Sequence, residues 1–465
     1  MARVGWGGWT GVAASLLALA PAGADDTAVM KEIEALKAKI QELERKAADR
    51  PVTPGVVPVA APPQSVVKDP MPTPAAPPSP GAGDAAGQNL EWMKDIKVYG
   101  FVDVGFNVNP NNPVNHLNGN TGIAIPPGTS TGGASHRCFD QRANSFTFHN
   151  AQIDIERVAT MDSIVGFKAE FTTGEDAEVI TSPSTTGGGA AADAADIFDV
   201  QEAYVQFIVP AGNGVDIKVG KMATLAGYEV IESKDNYNYS RSFMFFYAIP
   251  FTHTGIRASY QVFDPVKLTL GLNNGWNQSD DNNGGKTLEF QFALTPTIWD
   301  ANWLSFYANL YWGAERTQAI AGGNSNGDKR FLVDLNLILT PVENWTFGVN
   351  FDFGTDDDAV LTGAAAGGST RDAKWRGVAG YVKYQLWDWY AIAVRGENYD
   401  DQDGFTTGNV QKLFEVTLTN EFKIAERVLL RLEYRHDQSD EDTFLDGSLN
   451  DDHQDTLAAE VIFPF

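Results

Sequence analysis

The chain has 465 residues and a formal charge of −26, an acidity that excludes nucleic acid, and anionic lipid surfaces in general, as partners. Past the N-terminal leader no stretch is apolar enough and long enough for a transmembrane helix. Beyond the N-terminal fifth there is no long 3.6-residue period, which also excludes a helical soluble fold.

The elements begin with an address. Arg3 precedes an apolar run from Val12 to Leu19, and Ala22-Gly23-Ala24 supplies small residues before Asp25, so residues 1–24 read as a signal peptide. No cysteine follows that run, which excludes a lipoprotein signal, and export agrees with a single cysteine, Cys138. Within 25–50, Val29, Ile33, Leu36, Ile40 and Leu43 step by four and three, the seam of a short periplasmic coiled coil. So short a seam implies self-association. Pro51 to Pro80 then carries eleven prolines, and residues 51–90 read as an extended Pro/Ala-rich linker that cannot pack a core.

The barrel is assigned to residues 91–465, and from Ile96 onward the period is two. Sixteen strands are expected, at 97–108, 145–158, 164–173, 199–209, 215–221, 254–263, 266–274, 287–295, 302–314, 330–340, 344–354, 375–386, 389–398, 411–422, 427–436 and 455–465. Leu288, Phe290, Phe292 and Leu294 form one apolar stripe, with Glu289 and Gln291 opposite. Phe331, Val333, Leu335, Leu337 and Leu339 form another, against Asp334 and Asn336. The connections alternate between short turns (such as Asp264–Pro265 and Trp387–Asp388) and long Gly/Asn/Asp-rich loops, including 109–144, 222–253 and 355–374. A soluble sandwich gives no reason for that regularity. An outer-membrane barrel does, with short periplasmic turns, long external loops and, for an even strand number, both termini periplasmic.

Tryptophans point the same way. Trp299, Trp303, Trp345, Trp387 and Trp389 lie at the short turns, while Trp276, Trp312 and Trp375 lie near the long loops, as two interfacial girdles require. The segment 427–437 fixes a phase: Val428, Leu430, Leu432 and Tyr434 alternate with Leu429, Arg431, Glu433 and Arg435. The first row is expected to meet lipid and the charged row a lumen. Lipid satisfies no open edge, so the first strand must close on the last. The fold expected is therefore all-β, a transmembrane antiparallel barrel of about sixteen strands with a short N-terminal coiled coil. Its lumen should be water-filled, with Lys168, Glu170, Lys218, Arg257, Arg395, Glu397, Arg431, Glu433 and Arg435 lining the pore.

The stretch "VQEAYVQFIVPAGNGVDIKVGKMATLAGYEVIESKDNYNYSRSFMFF" with "PFTHTGIRASY", and the strand ends "AVRGENYDD" and "LRLEYRHDQS", resemble the outer-membrane β-barrel porin group of OmpL-like porins. The resemblance spans roughly residues 90–465 and implies a passive channel for small hydrophilic solutes or ions, in the bacterial outer membrane among lipid and lipopolysaccharide. Its likeness to general porins implies a homo-oligomer, a trimer by that analogy. In general porins the third loop narrows the barrel, and here 222–253 carries Tyr228, Glu229, Glu232, Asp235, Arg241 and the aromatic run Phe243–Tyr247. Exposed outside, those aromatics would be an apolar patch; folded inward, the loop would form a constriction in which solvated Glu229, Glu232 and Asp235 face strand arginines. The alternative is that the aromatics seal a loop against its neighbours or a subunit interface.

Catalysis finds no constellation. H-E-x-x-H, G-x-S-x-G, a Walker loop and C-x-x-C-H are all missing, and His436 beside Asp437 and Ser439 shares one strand end without an oxyanion donor. No cofactor is expected. No metal is expected either, since "DDQDG" lacks EF-hand spacing. Besides the porin, two readings stand: a structural anchor tethered to the cell wall by coiled coil and linker, and an outer-membrane enzyme or electron-conduit sheath, which the missing haem motifs oppose.

Overall fold

The structure is a computed structural model describing residues 92–118, 136–181, 197–297, 303–316, 326–362, 369–424 and 427–465. The expected signal peptide, coiled coil and linker lie outside the described residues, as does Trp299. The chain runs through β1 (Lys97–Val108), β2 (Ser145–Arg157), β3 (Val165–Thr173), β4 (Phe198–Val209), β5 (Val215–Ala223) and β6 (Thr252–Phe263). It continues with β7 (Val266–Asn273), β8 (Thr287–Leu294), β9 (Leu304–Gly313), β10 (Arg330–Leu339), β11 (Trp345–Thr362) and β12 (Ser369–Trp387). Last come β13 (Tyr390–Asp401), β14 (Gln411–Ile424), β15 (Val428–Ser439), a small hairpin of β16 (Phe444–Asp446) and β17 (Leu449–Asp451), and β18 (His453–Pro464). Two short helices, α1 (Glu175–Ile180) and α2 (Phe243–Tyr247), lie in long connections.

All the strands except β16 and β17 form one closed barrel, each antiparallel to the next, with β1 sealed against β18 in the register Val102↔Phe463. The terminal residue finishes the seam: Phe465 N–H donates to Gly100 O at 2.9 Å. Closure follows from the period-two pattern, because an apolar outer face forbids any unpaired edge in hydrocarbon. Along β8, Leu288 is exposed while Glu289 and Gln291 are buried. On the inner face amides and carboxylates connect strand to strand: Gln291 Nε2 donates to Asn309 Oδ1 at 2.8 Å, and Asn309 Nδ2 to Asp334 Oδ1 at 2.6 Å. Segment 428–439 has the expected phase, with Leu432 and Tyr434 outward and Arg431, Glu433 and Arg435 buried inside.

Three expectations are corrected. The loop 355–374 is largely strand, since pairing continues past a bulge through Val360↔Arg371 to Thr362↔Ser369. Above the lipid band the outward row has no reason to be apolar, so alternation fades while the backbone ladder persists. Trp276 and Trp375 belong to no girdle: both are buried, and Trp375 Nε1 donates to Ala248 O at 3.2 Å. Trp312, Trp345, Trp387 and Trp389 are exposed on the outside. Finally, the interior is not simply aqueous. Tyr228, Ile231, Tyr237, Phe243–Phe246, Ile249 and Phe251 of one connection pack with Phe139, with Val179 and Ile180 of α1, and with inward Tyr311, Leu332, Tyr381 and Tyr399 in one apolar cluster. A sixteen-strand circumference is too wide for wall side chains to fill; here connections fill part of it and bury apolar surface.

Candidate functional site

The connection between β5 and β6, residues 224–251, lies against the inner wall of β11–β15. It has little secondary structure of its own, so its buried N–H and C=O groups need partners from elsewhere. The wall supplies them as charges. Glu433 accepts from Tyr239 N–H at 2.7 Å and Ser240 N–H at 3.0 Å. Glu397 accepts from Phe243 N–H at 2.7 Å and Met244 N–H at 2.5 Å, capping α2, whose Ser242 Oγ also accepts from Phe245 N–H. Arg431 donates to Ser233 O at 2.9 Å and Asn236 O at 2.6 Å; Arg435 donates to Arg241 O at 2.6 Å. Charge-assisted bonds of this kind are stronger than neutral ones.

One ion pair crosses directly from loop to wall. Arg395 Nη1 lies 2.6 Å from Glu229 Oε1, and Arg395 Nε lies 2.7 Å from Glu415 Oε1. Glu229 Oε2 accepts from Ser242 N–H at 2.7 Å. Glu229 thus faces a strand arginine as expected, but at 3% exposure it does so as a buried, paired carboxylate rather than a solvated one. Tyr228 stacks on Tyr381 with ring centres 4.1 Å apart. Arg241 turns back on its own loop, donating to Val230, Tyr239 and Ile231 carbonyls at 2.7–3.1 Å, and faces no ion path.

The other side of the loop borders open space. A cavity of about 640 Å³ lies between it and β1–β7, reaching the short-turn end at Lys97 and Lys267. Lys168, Lys218 and Arg257 line it, with Glu229, Glu232 and Asp235 from the loop. Lys168 Nζ is 2.5 Å from Glu202 and 3.4 Å from Asp154, and also pairs with Glu170. Lys218 reaches Tyr204 OH at 3.2 Å; Arg257 pairs with Glu289 at 2.8 Å. The structure thus divides the expected pore residues. Lys168, Lys218, Arg257, Glu232 and Asp235 meet at the cavity, with Glu170 behind Lys168, whereas Arg395, Glu397, Arg431, Glu433 and Arg435 are covered by the loop. Glu202 and Tyr204 line the cavity too and are not among the expected pore residues, although their alternation with Val205 and Phe207 in β4 marks them as inward.

The long-loop end is packed as well. Buried Arg137 bridges Asp437, at 2.7 Å, and Asp140. His136 meets Tyr247 OH at 2.8 Å and Thr443 Oγ1 at 2.5 Å, and burial lowers its pKa to about 4, leaving a neutral ring. Burial also pushes the Cys138 thiol well above its ordinary value, which favours the neutral thiol over the thiolate.

A family model described as "Putative beta-barrel porin-2, OmpL-like" matches residues 95–465. No curated protein matches the chain. Among solved structures, the anion-selective porin from Comamonas acidovorans has a TM-score of 0.51 at 10% identity, over 80% of this chain and 99% of that one. OmpT of Vibrio cholerae, an outer membrane protein in its trimer form, gives 0.49 at 11% identity, over 80% and 99%. Salmonella typhi OmpF in complex with daunomycin gives 0.49 at 11% identity, over 80% and 97%. At such identity the likeness to the Comamonas porin is one of fold.

Proposed function

The chain belongs to the OmpL-like beta-barrel porin-2 family, an outer-membrane porin, and on that premise we propose that it passes small hydrophilic solutes or ions by diffusion along the β1–β7 side of its lumen. The observation that carries this reading is the charged cavity beside a loop tied to the opposite wall. Loop 224–251 is then the constriction. Lys168, Lys218 and Arg257 on the wall face Glu232 and Asp235 on the loop, and their balance sets ion preference. In this proposal residues 1–24 act as signal peptide, 25–50 as a coiled coil and 51–90 as a linker, and both termini of the barrel are periplasmic. Self-association, as a trimer by analogy with general porins, completes the proposal, within lipid and lipopolysaccharide.

Single-channel recording in planar bilayers under a salt gradient tests it. A conductance well below that of an unobstructed sixteen-strand barrel is expected, with a reversal potential that moves toward anions in Glu232→Gln/Asp235→Asn. A second reading has one observation in its favour: the apolar cluster filling much of the interior suits a structural anchor tethered to the cell wall. A barrel that inserts and never conducts would decide for the anchor.

A further inference from the structure

We propose that Asp451, Asp452 and His453, joined by His436 of the neighbouring strand, bind one divalent transition-metal ion of the zinc and copper class at the outer rim of the barrel. Residues 451–453 precede and open β18, and His436 lies near the end of β15; both are at the long-loop end. His453 and Asp455 continue the row of β18 that carries exposed Leu457, and His436 continues the row of Leu432 and Tyr434. The group therefore faces outward, above the lipid band and away from the lumen.

Ligand atoms already converge there. One from each of Asp451, Asp452 and His453 lies within 4.8 Å of the others. His453 Nδ1 is 3.0 Å from Asp451 Oδ1 and 2.9 Å from Asp452 Oδ1. Ligands held about 2.1 Å from an ion stand roughly 3 Å apart when they occupy adjacent octahedral corners.

The second imidazole is an independent feature. The His436 ring centre is 6.1 Å from that of His453, and a ring bound at about 2.0 Å has its centre roughly 3 Å from the ion, so the two reach one ion from opposite corners, as in tetragonal Cu²⁺. His436 Nδ1 is held by Asp455 Oδ1 at 3.0 Å, and Tyr434 OH donates to that same oxygen at 2.7 Å. A carboxylate on one ring nitrogen is the arrangement that orients a metal-binding histidine and raises its basicity, leaving Nε2 for the ion. Among the described residues no lysine or arginine pairs with Asp451, Asp452 or Asp455; their ion pairs run only to imidazoles. Two imidazoles select zinc or copper over calcium, which takes oxygen ligands.

The test uses tag-free full-length protein in detergent, titrated with Zn²⁺ by calorimetry and examined with Cu²⁺ by electron paramagnetic resonance. One Zn²⁺ per chain is expected, with coupling to two imidazole nitrogens in the Cu²⁺ spectrum. His453→Ala should weaken Zn²⁺ about 100-fold. His436→Ala should weaken it about tenfold and remove one nitrogen coupling, and Asp455→Asn should cost about tenfold through His436 alone. All of these side chains are at least partly exposed at the rim, so the variants keep the barrel, as unchanged heat-modifiable gel mobility verifies. His136, His149 and His253 are buried and do not compete; His116 is exposed, so His116→Ala serves as the control and should leave Zn²⁺ affinity unchanged. The proposal is overturned if Zn²⁺ affinity is unchanged in His453→Ala or in His436→Ala. It is equally overturned if Ca²⁺ displaces Zn²⁺ at matched concentration, which would leave only an acidic surface.

Discussion

Replacing Glu229 with Gln changes one atom and keeps the volume, so it isolates the ion pair that ties loop 224–251 to the wall. Glu229 offers both carboxylate oxygens to donors, Arg395 Nη1 at 2.6 Å and Ser242 N–H at 2.7 Å. The amide of Gln must turn its NH2 toward one of them, so one hydrogen bond becomes a donor–donor contact. Removing one member of a buried pair costs about 3–5 kcal/mol. Arg395 keeps Glu415 at 2.7 Å and Ser240 O at 2.6 Å, which puts the cost at the low end, about 3 kcal/mol, or roughly a 100-fold rise in local opening. Hydrogen exchange over 238–246 reads that opening directly, and single-channel recordings should show new flicker between the resting conductance and a larger one. The wall itself, paired strand to strand, should exchange as before. Unaltered exchange over 238–246 together with a quiet channel would refute the idea that this pair holds the loop.

Leu432→Arg, on the lipid face, should destabilise the barrel by about 2–4 kcal/mol at midplane, measured by urea unfolding in bilayers. Arg431→Leu should release the loop at 233–236, because Arg431 is bonded to Ser233 O and Asn236 O as well as paired to Glu421 and Glu460; exchange there should rise, and normal protection would count against it. Glu315, beyond β9, accepts from Trp276 N–H at 2.7 Å and Thr287 Oγ1 at 2.5 Å, and burial raises its pKa from 4.5 to about 7. A pKa higher in the folded state means stability present below about pH 4.5 and lost as pH rises through about 7; exchange at Trp276 should follow that curve in the native protein and lose it in Glu315→Gln.

How much of this was legible depended on which environment each residue reports. Lipid imposes a strict rule on the outer face, so Leu288–Leu294, Phe331–Leu339 and Val428–Tyr434 disclose strand, phase and closure together. Outside the membrane the rule lapses, and the extension of β11 and β12 past Phe353 went unread because Thr355 and Asp357 carry no stripe. Inside, the alternation marks a residue as inward without saying what it meets. Arg395 and Lys168 look alike in sequence, yet one is sealed under a loop and the other borders open space. The place of Trp375 near a loop suggests an interfacial ring, whereas parity with buried Ala373 and Ala379 marks it as inward. The rim histidines escaped for another reason. Their positions fit no ligand spacing within one segment, because His436 reaches His453 only through the β15–β18 pairing.

The buried charges of the wall carry the loop's structure, and this explains an otherwise odd composition. A barrel that needed only a wet lumen would be content with exposed Ser, Asn and Lys facing water. Arg395, Glu397, Arg431, Glu433 and Arg435 are instead almost wholly buried, where unpaired charge is costly. Each is matched by a backbone group or carboxylate of the loop or by a neighbour on the wall. The loop in turn has buried carbonyls and amides between residues 230 and 244 that no helix or sheet satisfies. Neither surface is tolerable alone, so wall and loop specify each other, while Lys168, Lys218 and Arg257 stand beside the open cavity on the loop's other side. A variant that removed the loop while keeping the wall would therefore not yield a simple wider pore. It would expose five charges built for enclosure, and should open a wider channel only with a loss of barrel stability that shortening an external loop such as 402–410 does not cause. Loop deletion that widens the pore at no cost in unfolding free energy would show that the wall needs no partner.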